Sequence, residues 1–215
     1  LQGARVEVGG NAALIGNSVT LDVVKVDNGG QQNATRSQVS AGGNLAIAAK
    51  DSVTVIGSTA KAGGNLTVTA ETGSVSLVTA DLARQTDDGY TKTTSTAQQG
   101  SQLVSGGSTA VKAGDDILIS GSDIRAGADV ALSAGDDIAI TAAKDTATTR
   151  LGINTIESER HQGSEITAGG AIAATAGSGS GDHDLNIVGS KLAAEGAVQL
   201  KAADDVTIAE ARDSE

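Results

Sequence analysis

The sequence predicts an all-β protein: a parallel (right-handed) β-helix or solenoid with coils of about 20 residues and a β-hairpin-like excursion after every second coil. Three observations carry that expectation. The composition offers no bulky core, since 215 residues include 29 Gly, no Cys, Met, Trp, Phe or Pro, and one aromatic, Tyr90. Apolar and polar residues alternate at period two over many short stretches. A glycine-marked pattern returns three times along the chain.

Without large rings only Val, Ile, Leu and Ala remain to be buried, so the folded body must be thin enough for short side chains to meet across it. Yet 39% of residues are apolar, too many for a chain that stays solvated and disordered. Proline would delete ladder donors, and its absence fits strands that are nearly all interior. A formal net charge of −11, from 26 acidic and 15 basic residues, repels nucleic acid and anionic membrane surfaces, and the missing rings remove base stacking. No nucleic-acid partner is expected. No apolar run approaches the roughly 18 residues of a membrane span, and no cofactor is implied. The lack of Cys fits a cytosolic protein as well as an exported one that stays unlinked while crossing membranes.

The repeat begins with Arg36-Ser37-Gln38-Val39-Ser40-Ala41-Gly42-Gly43, which returns as Gly100-Ser101-Gln102-Leu103-Val104-Ser105-Gly106-Gly107 and as Gly163-Ser164-Glu165-Ile166-Thr167-Ala168-Gly169-Gly170. Gly42, Gly106 and Gly169 are separated by 64 and 63 positions. A second shared stretch follows each: Ile56-Gly57-Ser58, Ser120-Gly121-Ser122 and Val188-Gly189-Ser190. Within these long units lies a shorter one, because Gly42 to Gly63 and Gly106 to Gly127 are both 21 positions. The expected inward pairs are Leu45/Ile47, Val53/Val55, Leu66/Val68, Val75/Leu77, Ile117/Ile119, Val130/Leu132, Ile138/Ile140, Leu185/Ile187, Val198/Leu200 and Val206/Ile208, with Thr, Ser, Ala, Asn and Gln facing out. One such unit cannot bury its apolar face alone. Stacking coil on coil at about 4.8 Å makes a continuous core, and roughly seven coils form a rod of about 34 Å. Corner glycines such as Gly43, Gly64 and Gly107 are expected to supply backbone angles closed to other residues.

Polar segments at 24–35, 81–99 and 144–162 interrupt the alternation. The second contains Asp87-Asp88-Gly89-Tyr90, a favoured hairpin turn, and Gly152 of the third follows Gly89 by 63 positions. They read as hairpins leaving the rod on one side. The chain is thus one β-helical domain with super-repeats at roughly 1–35 (partial), 36–99, 100–162 and 163–215. Its start in mid-pattern, and a tail from Ala209 that matches the beginning of another excursion, read as a segment of a longer array. In the third unit extra residues near Ala173 to Asp184 predict a widened loop or a broken ladder.

The Ala-Gly-Gly-Asn-Leu-x-Ile/Val-x-Ala pattern at Ala41 to Ala49 and Ala62 to Ala70, the Gly-Ser motif and the Ser/Thr-rich insert after every second coil resemble the haemagglutinin repeats of filamentous haemagglutinin-type exoproteins, which include effector proteins of contact-dependent growth inhibition. The resemblance covers residues 36 to 215 well and 1 to 35 more loosely. It implies a secreted, bacterial cell-surface protein exported through an outer-membrane two-partner-secretion transporter, with a role in adhesion or in carrying a toxin into a neighbouring cell.

Several residue groups are candidates for chemistry. The doubled aspartates Asp115/Asp116, Asp136/Asp137 and Asp204/Asp205 would suit Ca²⁺ if they stacked, although turn hydrogen bonding accounts for Asp at such positions. Polysaccharide lyases also use β-helices, and Asp182, His183 and Asp184, with Glu157, Glu159, Arg160 and His161, are the densest ionisable groups that include histidine. With no aromatic platform for sugar, catalysis is not expected and no catalytic residue is assigned. The glycine pairs lack the Gly-Lys-Ser/Thr of a phosphate loop. A contact surface would fall in the excursions, at Tyr90, Thr91, Lys92, Leu151 and Ile153, and the Thr91 to Thr96 run offers an edge for another chain. The expectation is therefore a structural stalk that displays or delivers other domains. The alternatives are a module that binds a receptor or target-cell surface through its excursions and, behind it, a β-helical lyase.

Overall fold

The computed structural model describes residues 1–177 and 182–214, and these form strands and turns without a helix. Seven coils stack in chain order. Each gives one strand to each of three faces. The first face runs Arg5–Val8, Gln38–Ala41, Thr59–Ala62, Gln102–Ser105, Asp123–Ala126, Glu165–Ala168 and Lys191–Ala194, every neighbour parallel. The second and third faces form one twelve-stranded sheet, because Ala12–Leu21 and Leu45–Ile56 run unbroken around the corner between them. In the later coils a short turn replaces that corner.

Register is set by the apolar alternation, because a slip of one residue would turn every aliphatic outward. On the second face Leu45 pairs with Leu66, Leu66 with Thr109, Thr109 with Val130 and Val130 with Ile172. On the third, Val55, Leu77, Ile119, Ile140 and Ile187 follow one another. The expected inward pairs are buried from Leu45/Ile47 through Leu185/Ile187, each large aliphatic contributing about 1.5–3 kcal/mol by burial. In the seventh coil the outcome differs. Val198, Val206 and Ile208 are 47%, 45% and 69% exposed, because among the described residues no coil stacks on the seventh. Thr109 is a polar member of the core stack and is satisfied by the Ser105 hydroxyl at 2.8 Å.

The corner glycines are required for a different reason from the one expected. Gly43, Gly64 and Gly107 do not adopt positive φ. Instead, a Cβ on each would lie 2.2, 2.3 and 2.2 Å from the Oδ1 of Asn11, Asn44 and Asn65 in the coil below. Those oxygens accept the backbone N–H of Asn44, Asn65 and Ser108 at 2.8, 2.8 and 2.9 Å, so the absence of a side chain lets an asparagine ladder close from coil to coil. Among the glycines of the Gly-Ser motif, Gly57, Gly121 and Gly189 do adopt positive φ, at +53°, +53° and +57°.

The serines of that motif build a second ladder. Backbone N–H groups of Ser37, Ser58, Ser101, Ser122 and Ser164 donate to the Oγ of Ser58, Ser101, Ser122, Ser164 and Ser190 at 3.1–3.4 Å. All five donors are buried. Every coil from the second to the seventh thus carries an equivalent serine, whether or not a hairpin precedes it.

The extra residues of the third unit lie at 177–184, between Ile172–Ala176 and Leu185–Val188. The ladder is not broken there: Ala176 pairs with Ala134 and Leu185 with Ile138. Residues 178–181, on which the expected widened loop falls, lie outside the described residues.

Candidate functional site

The excursions are hairpins: Val24–Asp27 with Gln32–Thr35, Ala80–Asp87 with Thr91–Gln99, and Ala143–Leu151 with Asn154–Gln162. The later two start one residue earlier than the sequence suggests, at Ala80 and Ala143. Each is seated by its first alanine, which packs where a Cβ on Gly57 or Gly121 would stand, 2.7 and 2.5 Å from the alanine Cβ. At the other end the Gln99 and Gln162 amides donate to the Gly57 and Gly121 carbonyls at 2.9 and 3.2 Å.

Beyond that base the hairpins join one another. Thr91 to Thr96 pair antiparallel with Leu151 to Thr146, making a four-stranded lateral sheet that stands along one side of the rod. The Thr91 to Thr96 edge, expected to be open to another chain, is therefore covered by the next hairpin of the same chain. The first hairpin adds to it through the Gln31–Arg84 bridge, with the Gln85 N–H donating to the Gly30 carbonyl at 2.6 Å. At the far side Glu159 and Ser214 exchange backbone hydrogen bonds of 2.8 and 3.1 Å, and the Asp213 carboxylate accepts the His161 N–H. That contact, led by the His161 backbone donor, holds the Asp213 carboxyl below its ordinary range. Each junction pairs a returning strand with the next outgoing one.

Within the hairpin strands only Ala80 and Ala143 are buried. The sheet is hydroxyl-rich on both faces, and apolar residues gather at its outer rim. Tyr90 is 80% and Ile153 100% exposed, with Leu151 and Ile156 beside them. Asp88 fixes the Tyr90 turn by accepting the Tyr90 and Thr91 N–H groups at 2.9 and 2.6 Å; these donors, Thr91 first, hold its carboxyl below the usual range. Of the contact residues named from sequence, Thr91 lies opposite Leu151 and Lys92 opposite Arg150. The structure thus brings Tyr90, Thr91, Lys92, Leu151 and Ile153 to one rim, although the two hairpins are a super-repeat apart.

The aspartates occupy another place, the corner between the second and third faces. Asp116, Asp137 and Asp184 each accept, through Oδ1, the N–H of Asp137, Asp184 and Asp205 in the coil above, at 3.1, 2.8 and 3.1 Å. Turn and ladder hydrogen bonding therefore accounts for these three. Carboxylate oxygens of Asp115, Asp116 and Asp136, and of Asp182, Asp184 and Asp204, come within 4.8 Å of one another in two groups, so the doubled aspartates do stack, with Asp182 and Asp184 of the widened turn standing in for a pair. A hydrogen bond with Asp115, then burial and the Asp115 charge, raises the Asp136 carboxyl, and the neighbouring Asp205 raises Asp204. His183 approaches Asp136 at 3.4 Å.

The histidine-containing groups named for lyase chemistry are not assembled. His161 sits at the hairpin base, 3.2 Å from Asp213, with Lys144 paired to Glu159 and Arg160 opposite Asp145. His183 is on the aspartate corner. Sequence reasoning missed the pairing between hairpins, because alternation fails in both. It also missed that Ser37, Ser101 and Ser164 are equivalent to Ser58, Ser122 and Ser190. The recurring Gly-Ser dipeptide at Gly57, Gly100, Gly121, Gly163 and Gly189 carried that signal.

A hemagglutinin-repeat family model matches residues 25–89, 82–151 and 153–215. The chain belongs to the hemagglutinin-repeat family. The first two matches each run from one hairpin into the next, and the third runs from the third hairpin through the sixth and seventh coils. No curated protein and no solved structure matches the chain.

Proposed function

We infer that this hemagglutinin-repeat segment is a structural stalk in a secreted, filamentous cell-surface protein, holding other domains away from the cell for adhesion or contact-dependent toxin delivery. The observation that carries this reading is the uninterrupted stack: seven coils share one aliphatic core, with ladders of asparagine and serine continuing from coil to coil. Stability in such a solenoid accrues between neighbours, so length is added without a new fold. A disulfide-free chain that adds rungs one at a time also suits passage through an outer-membrane two-partner-secretion transporter. Replacing this segment within its parent protein by an equal number of coils from elsewhere in the array should leave adhesion or delivery intact, whereas deleting it should shorten the filament. Loss of activity on replacement would defeat the stalk reading.

A second reading is favoured by the rim of the lateral sheet, where the chain's one aromatic and Ile153 are held in solvent. Here the hairpins contact a target-cell surface or receptor, with Tyr90, Leu151 and Ile153 as the anchor. Removing 81–99 and 144–162 and measuring cell attachment separates the two readings: a stalk is indifferent, a binding module is not.

A further inference from the structure

We propose that the face of the lateral sheet carrying Lys92 and Arg150 binds a pyranose that bears one carboxylate, a sugar acid of the uronate type. This deepens the binding-module reading of the hairpins and rests on it. The inference begins from register. Lys92 lies opposite Arg150 and Thr94 opposite Thr148, and Thr148 in turn lies opposite Glu157. Residues directly opposite one another, and those two apart along a strand, share a face. The five side chains therefore stand together and line one shallow depression. Lys92 and Arg150 belong to the two interior strands, each with a neighbour on both sides, so their placement owes nothing to an open edge.

Like charges directly opposite each other destabilise a sheet, and nothing in the chain offsets this pair. Among the described residues none of Lys92, Arg150 and Glu157 is in an ion pair. Lower on the same face Lys144 and Glu159 do pair. Asp87, across from Lys92 on its other side, accepts the Gly89 N–H at 3.0 Å and belongs to the turn. The hydroxyls differ between faces as well. Thr93 and Thr149 close on each other at 3.2 Å, whereas no side-chain hydrogen bond joins Thr94 to Thr148 among the described residues. A locally unfavourable charge pair beside unused hydroxyls is what a ligand site leaves in the empty sheet.

The residue types select the ligand. A guanidinium beside an ammonium suits a carboxylate, with the Arg150 fork binding it bidentately and Lys92 acting as a point charge. The Thr94 and Thr148 hydroxyls both donate and accept, and the Glu157 carboxylate accepts only, so together they match the hydroxyls of a sugar ring. Glu157 also repels a second anionic group. With a net charge of −11 on the chain, a polyanion would be held off. A single carboxylate on an otherwise neutral, hydroxyl-rich ring meets the two cations with far less of that repulsion.

Titration of the 215-residue chain with methyl glucuronide, followed by amide NMR shifts, tests this, with methyl glucoside as the uncharged control and acetate as the ringless one. Shifts should saturate around Lys92, Thr94, Thr148 and Arg150 with a Kd on the order of 1 mM. Both controls should bind about tenfold more weakly or worse. Lys92→Gln and Arg150→Gln should each weaken glucuronide binding by about tenfold or more, and Thr94→Val by a smaller factor. Thermal melts confirm that the variants remain folded. The absence of saturable shifts, glucoside binding as tightly as glucuronide, or shifts that Arg150→Gln leaves unchanged would each overturn the proposal. Acetate binding as tightly as glucuronide would also overturn it, and would mean an adventitious ion only. Cell attachment distinguishes this failure from that of the underlying reading. Attachment lost on removing 81–99 and 144–162 but unchanged by Lys92→Gln and Arg150→Gln together would keep the binding module and reject the sugar-acid site.

Discussion

Thr93 and Thr149, 56 residues apart in the chain, face each other across two hairpins with their hydroxyls 3.2 Å apart. The contact exists because two spacings coincide. Successive hairpins leave the rod two coils apart, and each hairpin is two strands wide; both intervals are about twice the 4.8 Å strand spacing. The hairpins therefore tile into a sheet whose period matches the rod beneath it. One hairpin per coil would crowd, and one every third coil would leave gaps.

Inward positions should reject charge. Ile119 is fully buried between Leu77 and Ile140, so Ile119→Asp should cost about 3 kcal/mol or more. Its neighbour Ser120 faces outward, and Ser120→Asp should stay within about 0.5 kcal/mol. Equal shifts in Tm for the two would contradict the assignment of faces.

The serine ladder should be worth more in the middle than at its end. The Ser101 Oγ accepts from the Ser58 N–H and donates within 2.7 Å of the Val78 carbonyl. Ser101→Ala strands buried groups and should destabilise by about 1–3 kcal/mol. Ser190, half-buried in the last coil, should lose clearly less as alanine. Denaturant titration of the two variants makes the comparison.

Gly121→Ala and Gly152→Ala separate backbone strain from contact. Both glycines have similar positive φ, +53° and +59°, a conformation costing another residue about 1–3 kcal/mol. Nothing lies within 4 Å of a Cβ on Gly152, whereas one on Gly121 would stand 2.5 Å from the Ala143 Cβ. The Gly121 variant should therefore be the less stable and should loosen the third hairpin. If the two melt alike, the alanine seat does not hold the hairpin.

Amide exchange should be graded within the lateral sheet. Thr91 to Thr96 and Thr146 to Leu151 are interior strands of it, while among the described residues no strand pairs with the outer part of Asn154–Gln162 on its far side. Exchange should be slowest in the coils, intermediate in the interior hairpin strands and fastest near 154–158, with protease cutting first at the turns of Gly89 or Gly152. Protection at 154–158 equal to that of the core would contradict this ordering.

Acid should affect two sites in opposite directions. The Asp136 carboxyl is raised, first by its hydrogen bond with Asp115, so the stability it contributes is present below its unfolded pKa and lost as pH rises through its folded one. Asp136→Asn should raise Tm at neutral pH, with the gain vanishing in acid. Glu165 is held below its ordinary range by Lys191 and then by Arg125. Its contribution is present at neutral pH and is lost as pH falls through its folded pKa, so Glu165→Gln should lower Tm only at the higher pH. Salt should shrink the charge-dependent part of both effects, since Asp136 is exposed and Glu165 only half-buried.

By itself the sequence determined the coil, the number of coils and the inward face, because burial on a pleated strand demands alternation at period two and a solenoid repeats that demand every turn; Leu45/Ile47 and Ile138/Ile140 could be read in no other way. It also placed the hairpins, where alternation stops. Only the tertiary structure decided what they do. Thr91 to Thr96 meet Thr146 to Leu151 because of where the rod returns the chain, and neither segment carries a pattern that names its partner. The same holds for the glycines. Gly43 and Gly57 look alike in sequence, but one makes room for an asparagine oxygen from the coil below and the other adopts a left-handed backbone over an alanine. That difference lies in contacts between coils, which are set by stacking and not by any single repeat.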